Sequence, residues 1–281
     1  MPSKLIIHGG FFSESGTNHE IRTAKQQALK DIATKAHGFL LKHTAVETVA
    51  YAVSLLESCE LFNAGLGSQI QSDGKIRMSA SLMDGLTQKF SGVINIEDVE
   101  HPIHVAKKLM EFEDSVLGGP CATSFAREHG FDYFYAEIPQ RRKEFQEKLE
   151  KTRTGTVGCV ALDGEGRLAA ATSTGGKGFE MPGRISDSAT VAGNYANRFA
   201  AVSCTGVGED IVSGALAAKI VTRTTDGLSL REAMERSFGE LKPFDGFAGA
   251  IAISANGDIW HQDSHPYMVW ASFDSEVNVF D

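Results

Sequence analysis

Apolar and polar positions along this chain switch between two periods. Leu5-Ile6-Ile7, closed by His8, is a short apolar run that predicts a buried first strand, and Gly9-Gly10 lets the backbone turn or approach a neighbour closely. A long helix is expected over 23–41. The next is better marked: Thr44 and Glu47 form a capping box, and Val46, Val49, Ala50, Val53 and Leu56 share one face. Glycines break the stretch 61–68, and Ser72-Asp73-Gly74 predicts a hairpin turn. Residues 78–83 and 90–96 read as strands, 104–112 and 122–129 as helices. From about 136 to 155 the chain is polar and nearly free of core positions, the best candidate for a flexible linker. Then the texture changes. A strand over 156–162, a turn at Asp163-Gly164-Glu165-Gly166 and a returning strand over 168–174 are followed by helices at 210–224 and 229–241. Two last strands, 249–254 and 259–263, are joined by the turn signal Asn256-Gly257. Blocks of strand and helix in this order predict sheets stacked between helical layers.

Composition adds limits. A chain of 281 residues can hold one large core or two modest ones, and no break in composition favours the second, so residues 1–281 are read as one domain. No apolar run approaches the roughly 18 residues that span a bilayer, and the N-terminus is too short to be a signal peptide. A cytoplasmic protein with no membrane partner is expected. The net charge of -9 argues against nucleic acid, because the basic cluster Arg141-Arg142-Lys143 is interleaved with Glu144, Glu147 and Glu150. The four scattered cysteines contain no CxxC pair, so reduced, mostly buried thiols are expected rather than disulfides or a zinc site.

Thr156 carries the candidate chemistry. A threonine at the start of a new chain has its own α-amine, with a reference pKa of about 7.7–8.0, within reach of its hydroxyl. That amine can take the hydroxyl proton without a histidine. The β-methyl restricts χ1 and holds the hydroxyl in one orientation. Such a residue has to be uncovered by cleavage. A polar linker ending at Gly155, directly before a strand, is a place for that, and Gly155 adds no side chain to obstruct attack on its carbonyl.

Three stretches now line up with a known family. Thr154-Gly155-Thr156-Val157-Gly158-Cys159-Val160-Ala161-Leu162-Asp163, Ala171-Thr172-Ser173-Thr174-Gly175-Gly176 and Pro182-Gly183-Arg184-Ile185-Ser186-Asp187-Ser188 closely resemble the plant-type asparaginase/isoaspartyl peptidase family. Further matches are His8-Gly9-Gly10, Leu61-Phe62-Asn63-Ala64-Gly65 with Gly67-Ser68, Ser81-Leu82-Met83-Asp84-Gly85 and Ser203-Cys204-Thr205-Gly206-Val207-Gly208-Glu209. In this order and spacing the set is specific, and it spans nearly the whole chain.

The resemblance implies an α+β fold, a four-layer αββα sandwich of the N-terminal-nucleophile (Ntn) hydrolase type. It implies autocleavage into an α subunit (1–155) and a β subunit (156–281) that stay assembled, usually as a dimer of such pairs. Thr156 would be the nucleophile and its freed amine the base, with Thr174 orienting it. Thr205 and Gly206 would form the oxyanion hole. Arg184 would bind the substrate α-carboxylate, and Asp187, helped by the Gly208 carbonyl, its α-ammonium. Asparagine and β-aspartyl dipeptides fit such a clamp. Asn63 matches a residue near the scissile bond. Leu56, Glu57, Cys59, Phe62, Ala64 and Leu66 match a loop that binds a structural sodium ion through mainly backbone carbonyls; no catalytic cofactor is implied.

Some positions depart from the family pattern: Phe11-Phe12 where small residues are usual, Met78 for aspartate, Val207 for histidine, and Pro120-Cys121 in a usually helical stretch. None touches the nucleophile or its oxyanion donors. Two other readings stay open, an uncleaved and catalytically silent binding or assembly module of the same fold, and a relative of glycosylasparaginase. The missing signal peptide and disulfide framework speak against the latter. Arg184 and Asp187 could also be a plain surface ion pair. His261, Asp263 and His265 alternate on one strand face in a spacing open to metal ligands, but a packed strand is the reading adopted. Neither Gly65-x-Gly67 nor Gly206-x-Gly208 has the form of a phosphate loop, and no GxSxG elbow is present.

Overall fold

A computed structural model describes residues 2–11, 19–147 and 155–281. The chain opens with β1 (Lys4–Phe11), α1 (His19–Leu40), α2 (Ala45–Glu57), β2 (Met78–Asp84) and β3 (Phe90–Ile96). Next come α3 (Pro102–Leu109), β4 (Val116–Gly118), α4 (Gly119–Glu128) and α5 (Pro139–Gln146). The second half runs β5 (Thr156–Leu162), β6 (Leu168–Thr174), β7 (Asn194–Ala196), β8 (Ala200–Gly206), α6 (Gly208–Gly214), α7 (Leu216–Thr225) and α8 (Leu230–Gly239). It ends with β9 (Ala248–Ser254), β10 (Ile259–Asp263), β11 (Met268–Phe273) and β12 (Val277–Val279).

Eight strands form one sheet in the order β12-β11-β1-β5-β6-β2-β3-β4, and four form a second in the order β10-β9-β8-β7. α1, α2 and α3 cover the outer face of the large sheet, α7 and α8 that of the small one, and the inner faces pack on each other. The result is the four-layer αββα sandwich. Its burial pattern follows from strand alternation. Along β5, Val157, Cys159 and Ala161 point to the helices with Val49, Val53 and Leu56 of α2, while Val160 and Leu162 point to the second sheet. A third apolar layer joins Val202, Cys204, Ala250 and Ala252 to Ile220 and Phe238 of the far helices. Between the sheets, the end nearest Thr156 is polar. There Thr156, Thr172, Thr174, Ser203 and Thr205 replace the apolar residues found deeper in that layer.

Local signals account for several boundaries. Thr44 Oγ1 accepts from Glu47 N at 3.2 Å while the Glu47 carboxylate accepts from Thr44 N at 2.9 Å, the expected capping box, and such a cap stabilises a helix by about 1 kcal/mol. Ser229 and Glu232 repeat it at α8. Pro120 does not interrupt a helix; it lies in the first turn of α4, where the missing N–H has no intrahelical partner to lose.

Other expectations need correction. Ser72-Asp73-Gly74 is a turn, closed by Gly74 N donating to Gln71 O at 2.9 Å, but no strands flank it, and β2 pairs with β3 and β6 instead. The stretch read as a linker is structured as far as Glu147, with Ala136 and Ile138 buried and α5 starting at Pro139. Its polarity misled because the buried residues are themselves charged: Arg141 donates to Gly67 O at 2.8 Å and meets Glu144 at 3.0 Å. Residues 148–154, with Glu150 and Thr154, lie outside the described residues, as does Phe12. The single helix expected over 210–224 is two, separated by Ala215 at φ 47° and ψ 43°. Strands β4, β7, β8, β11 and β12 carry no sequence signal read above, and β11 lies beside β1. All four cysteines are free, with Cys159 and Cys204 buried, Cys59 half-buried and Cys121 exposed. Among the described residues no helix is long and apolar enough to cross a membrane.

Candidate active site

Thr156 is the first residue of β5, and antiparallel pairing sets it opposite Thr174, with Gly158 opposite Thr172. Alternation aims both β5 residues at the second sheet, where β8 supplies Ser203 and Thr205. Thr156 is 6% exposed. Its N–H donates to Thr205 Oγ1 at 3.4 Å, and its Oγ1 donates to Thr174 Oγ1 at 3.3 Å. A further hydroxyl, Ser188 Oγ, lies 3.4 Å from Thr156 Oγ1. Contacts of this length are usual for catalytic groups before substrate arrives.

The Gly155–Thr156 bond is closely wrapped. A Cβ on Gly10, whose φ is 85°, would stand 2.7 Å from Gly155 Cα and 3.1 Å from Thr156 N, so only glycine lets β1 run this close to the bond. A Cβ on Gly155 would meet Asn63 Cβ at 3.0 Å. Asn63 is buried and fixed on both sides: its Oδ1 accepts from Gln69 N at 3.0 Å, and its Nδ2 donates to Gly176 O.

Beside the threonines opens a small cleft, lined by Gly155, Thr156, Thr174, Arg184, Asp187 and Gly208 among others. Arg184 and Asp187 both face it but do not pair as a surface bridge. Arg184 donates through Nε and an Nη to the two carboxylate oxygens of Glu209, each at 2.8 Å. That guanidinium holds Glu209 down at a pKa of about 2. Asp187 is 2% exposed, and burial pushes its pKa up to about 7; Arg184 opposes the rise and Glu209 adds to it. Its Oδ2 has no hydrogen-bond partner among the described residues. A Cβ on Gly208 would lie 2.9 Å from both an Arg184 Nη and Asp187 Oδ1, so Gly208 leaves the space between the two charges open. Gly206, at φ 137°, closes β8 beside Thr205.

The loop after α2 can be tested against its expected sodium ion. Gly65 (φ 52°) and Gly67 pack where a Cβ would fall 2.3 Å from Glu57 O and 1.9 Å from Phe62 O, with Glu60 O 3.0 Å from the latter position. Only glycine lets the loop close on the Glu57 and Phe62 carbonyls, two of the hard oxygens that the resemblance assigns to the cation's cradle. The Glu57 side chain points elsewhere, accepting from Ser173 Oγ at 2.6 Å and Ile103 N at 3.2 Å.

All the candidate catalytic and clamp residues therefore meet in one place, while Leu56, Glu57, Cys59, Phe62, Ala64 and Leu66 belong to the supporting loop. Sequence reasoning gave no role to Glu209 or Ser188, whereas the close backbone approach expected at Gly9-Gly10 is found at Gly10, against Gly155. Ser188 and Glu209 follow Asp187 and Gly208 directly, and that adjacency was the available signal. Lys177, 3.4 Å from Glu209, joins the same rim. His261 stacks on Trp270 and His265 on Phe247, at 4.1 and 4.5 Å between ring centroids, as a packed strand should.

Comparison with known proteins agrees with this geometry. The family model described as asparaginase matches residues 1–279. An isoaspartyl peptidase/L-asparaginase of Nostoc sp. (strain PCC 7120) is 45% identical, over 91% of this chain and 87% of its own. The isoaspartyl peptidase of Escherichia coli (strain K12) is 37% identical over 91% and 88%. A plant-type L-asparaginase of Pyrobaculum calidifontis is 36% identical over 90% and 91%. With a match over nearly its full length and an αββα sandwich to carry it, the chain belongs to the asparaginase family of Ntn hydrolases.

Proposed function

We propose that this protein cleaves itself between Gly155 and Thr156 and then hydrolyses L-asparagine and β-aspartyl peptides with Thr156. The observation that carries the reading is the convergence of Thr156 N on Thr205, Thr156 Oγ1 on Thr174, and an Arg184/Asp187 pair in the same cleft. In maturation, Thr156 Oγ1 attacks the Gly155 carbonyl, the peptide nitrogen leaves as the new amine, and water hydrolyses the resulting ester. In turnover, that amine takes the hydroxyl proton as Oγ1 attacks the substrate's side-chain carbonyl. Thr205 Oγ1 and Gly206 N–H stabilise the oxyanion, and the proton passes to departing ammonia or peptide amine. Water then releases aspartate from the β-aspartyl ester. Arg184 takes the α-carboxylate while Glu209 holds its fork in place, and Asp187 takes the α-ammonium.

The bulk of the enzyme supports this site. Sodium in the carbonyl cradle would steady the loop that carries Asn63, and two αβ pairs would associate as a dimer. Intact-mass spectrometry with N-terminal sequencing tests the central claim. Fragments of residues 1–155 and 156–281 are expected, with aspartate released from asparagine and β-aspartyl dipeptides. Thr156→Ala should give one chain without activity; normal processing and turnover in that variant would sink the mechanism.

A further inference from the structure

Below the threonines lies a second tier of polar residues. Two residues along each strand from Thr156, Thr174 and Thr205 stand Gly158, Thr172 and Ser203, all facing the same gap between the sheets. His8, on β1 and paired with Gly158, sends its ring into that gap. His8 Nε2 lies 2.9 Å from Ser203 Oγ, which lies 2.7 Å from Thr172 Oγ1. All three side chains are fully buried. Gly158 makes the meeting possible, since a Cβ there would stand 2.0 Å from Ser203 Oγ and 2.4 Å from His8 Nε2.

We propose that His8, Ser203 and Thr172 form a positioning floor that fixes the spacing of the two sheets beneath the nucleophile; this rests on the Thr156 reading above. The distances argue for it. The contacts of the upper tier are long, at 3.3 and 3.4 Å, so small slips of β8 against β5 decide whether Thr205 and Thr174 address Thr156. The lower tier ties β8 to β1 and β6, the two strands that flank β5, through shorter bonds of 2.7 and 2.9 Å. Apolar residues slide in such a gap with little penalty, whereas breaking a buried hydrogen bond leaves unpaired groups. Burial holds the His8 pKa down at about 3, opposed by the Thr156 backbone, so the ring is neutral and the tier is unchanged across working pH.

The test compares Ser203→Ala, Thr172→Val and Thr172→Ser, scoring self-cleavage rate and turnover per cleaved site on a β-aspartyl dipeptide. Thr172→Val and Ser203→Ala should lower both rates about tenfold or more with KM within about twofold, and Thr172→Ser should retain most activity. A merely structural role would reduce the amount of folded protein but leave kcat per cleaved site unmoved. Should Thr172→Val not fold, Ser203→Ala, which loses a single oxygen, decides. The proposal is overturned if Ser203→Ala matches the parent in both rates, or if KM changes carry the loss. A parent that cleaves at Gly155–Thr156 and loses turnover in Thr156→Ala leaves the Thr156 reading standing in that event; an uncut, inactive parent overturns both.

Discussion

Asp187 should cost the protein stability at neutral pH, and replacing it should reveal how much. Moving a buried carboxyl from its ordinary pKa of about 3.9 to about 7 corresponds to about 4 kcal/mol. The folded pKa is raised, so below about pH 4 the group is protonated in both states and no penalty exists. Between pH 4 and 7 the unfolded chain ionises and the folded one does not, and above pH 7 the penalty is complete. Asp187→Asn cannot ionise and escapes it. The new amide leaves a buried N–H to satisfy, costing about 1–3 kcal/mol, but that offset does not depend on pH. The assay is thermal unfolding of Thr156→Ala and Thr156→Ala/Asp187→Asn, a background that keeps one covalent chain. At about 2–4 °C per kcal/mol, the Tm gap between the two should shift by roughly 8–16 °C in favour of Asn from pH 4 to pH 8.5. A gap that is the same at both pH values, within about 2 °C, would refute a strained carboxylate at this position.

Further outcomes follow from the same geometry. In the active enzyme, kcat/KM should rise with pH through two ionisations, Asp187 near 7 and the Thr156 amine, giving a limiting slope near two in a logarithmic plot that drops to about one in Asp187→Asn. Arg184→Ala should leave self-cleavage intact and raise KM by about 10- to 100-fold, the worth of a charge-assisted pair at about 1.5–3 kcal/mol; a fall in kcat at constant KM would argue against the clamp. Gly67→Ala places a Cβ 1.9 Å from Phe62 O, so it should abolish any rise in Tm that sodium chloride gives the parent over choline chloride.

The site was more legible than the fold because of what each requires of a residue. Chemistry at Thr156, Thr174, Thr205, Arg184 and Asp187 depends on residue type, so matching stretches carried these positions directly, and the structure lines one cleft with four of them and sets Thr205 against Thr156 N behind it. Sheet order carries no such mark. β8 holds Thr205 and Ser203, yet Ala200-Ala201-Val202 reads weakly as strand because small residues are what two closely packed sheets demand. β11 joins β1 across most of the chain, a pairing that local pattern cannot announce. α5 was hidden for the opposite reason: its buried face is built from Arg141 and Glu144, which hydrophobic periodicity counts as solvent. His8 illustrates the intermediate case. The motif His8-Gly9-Gly10 was visible, but its meaning needed Gly158 opposite and Ser203 on another sheet. A glycine in a buried strand centre, where a side chain would ordinarily pack, was the one sequence signal that something else occupies that space.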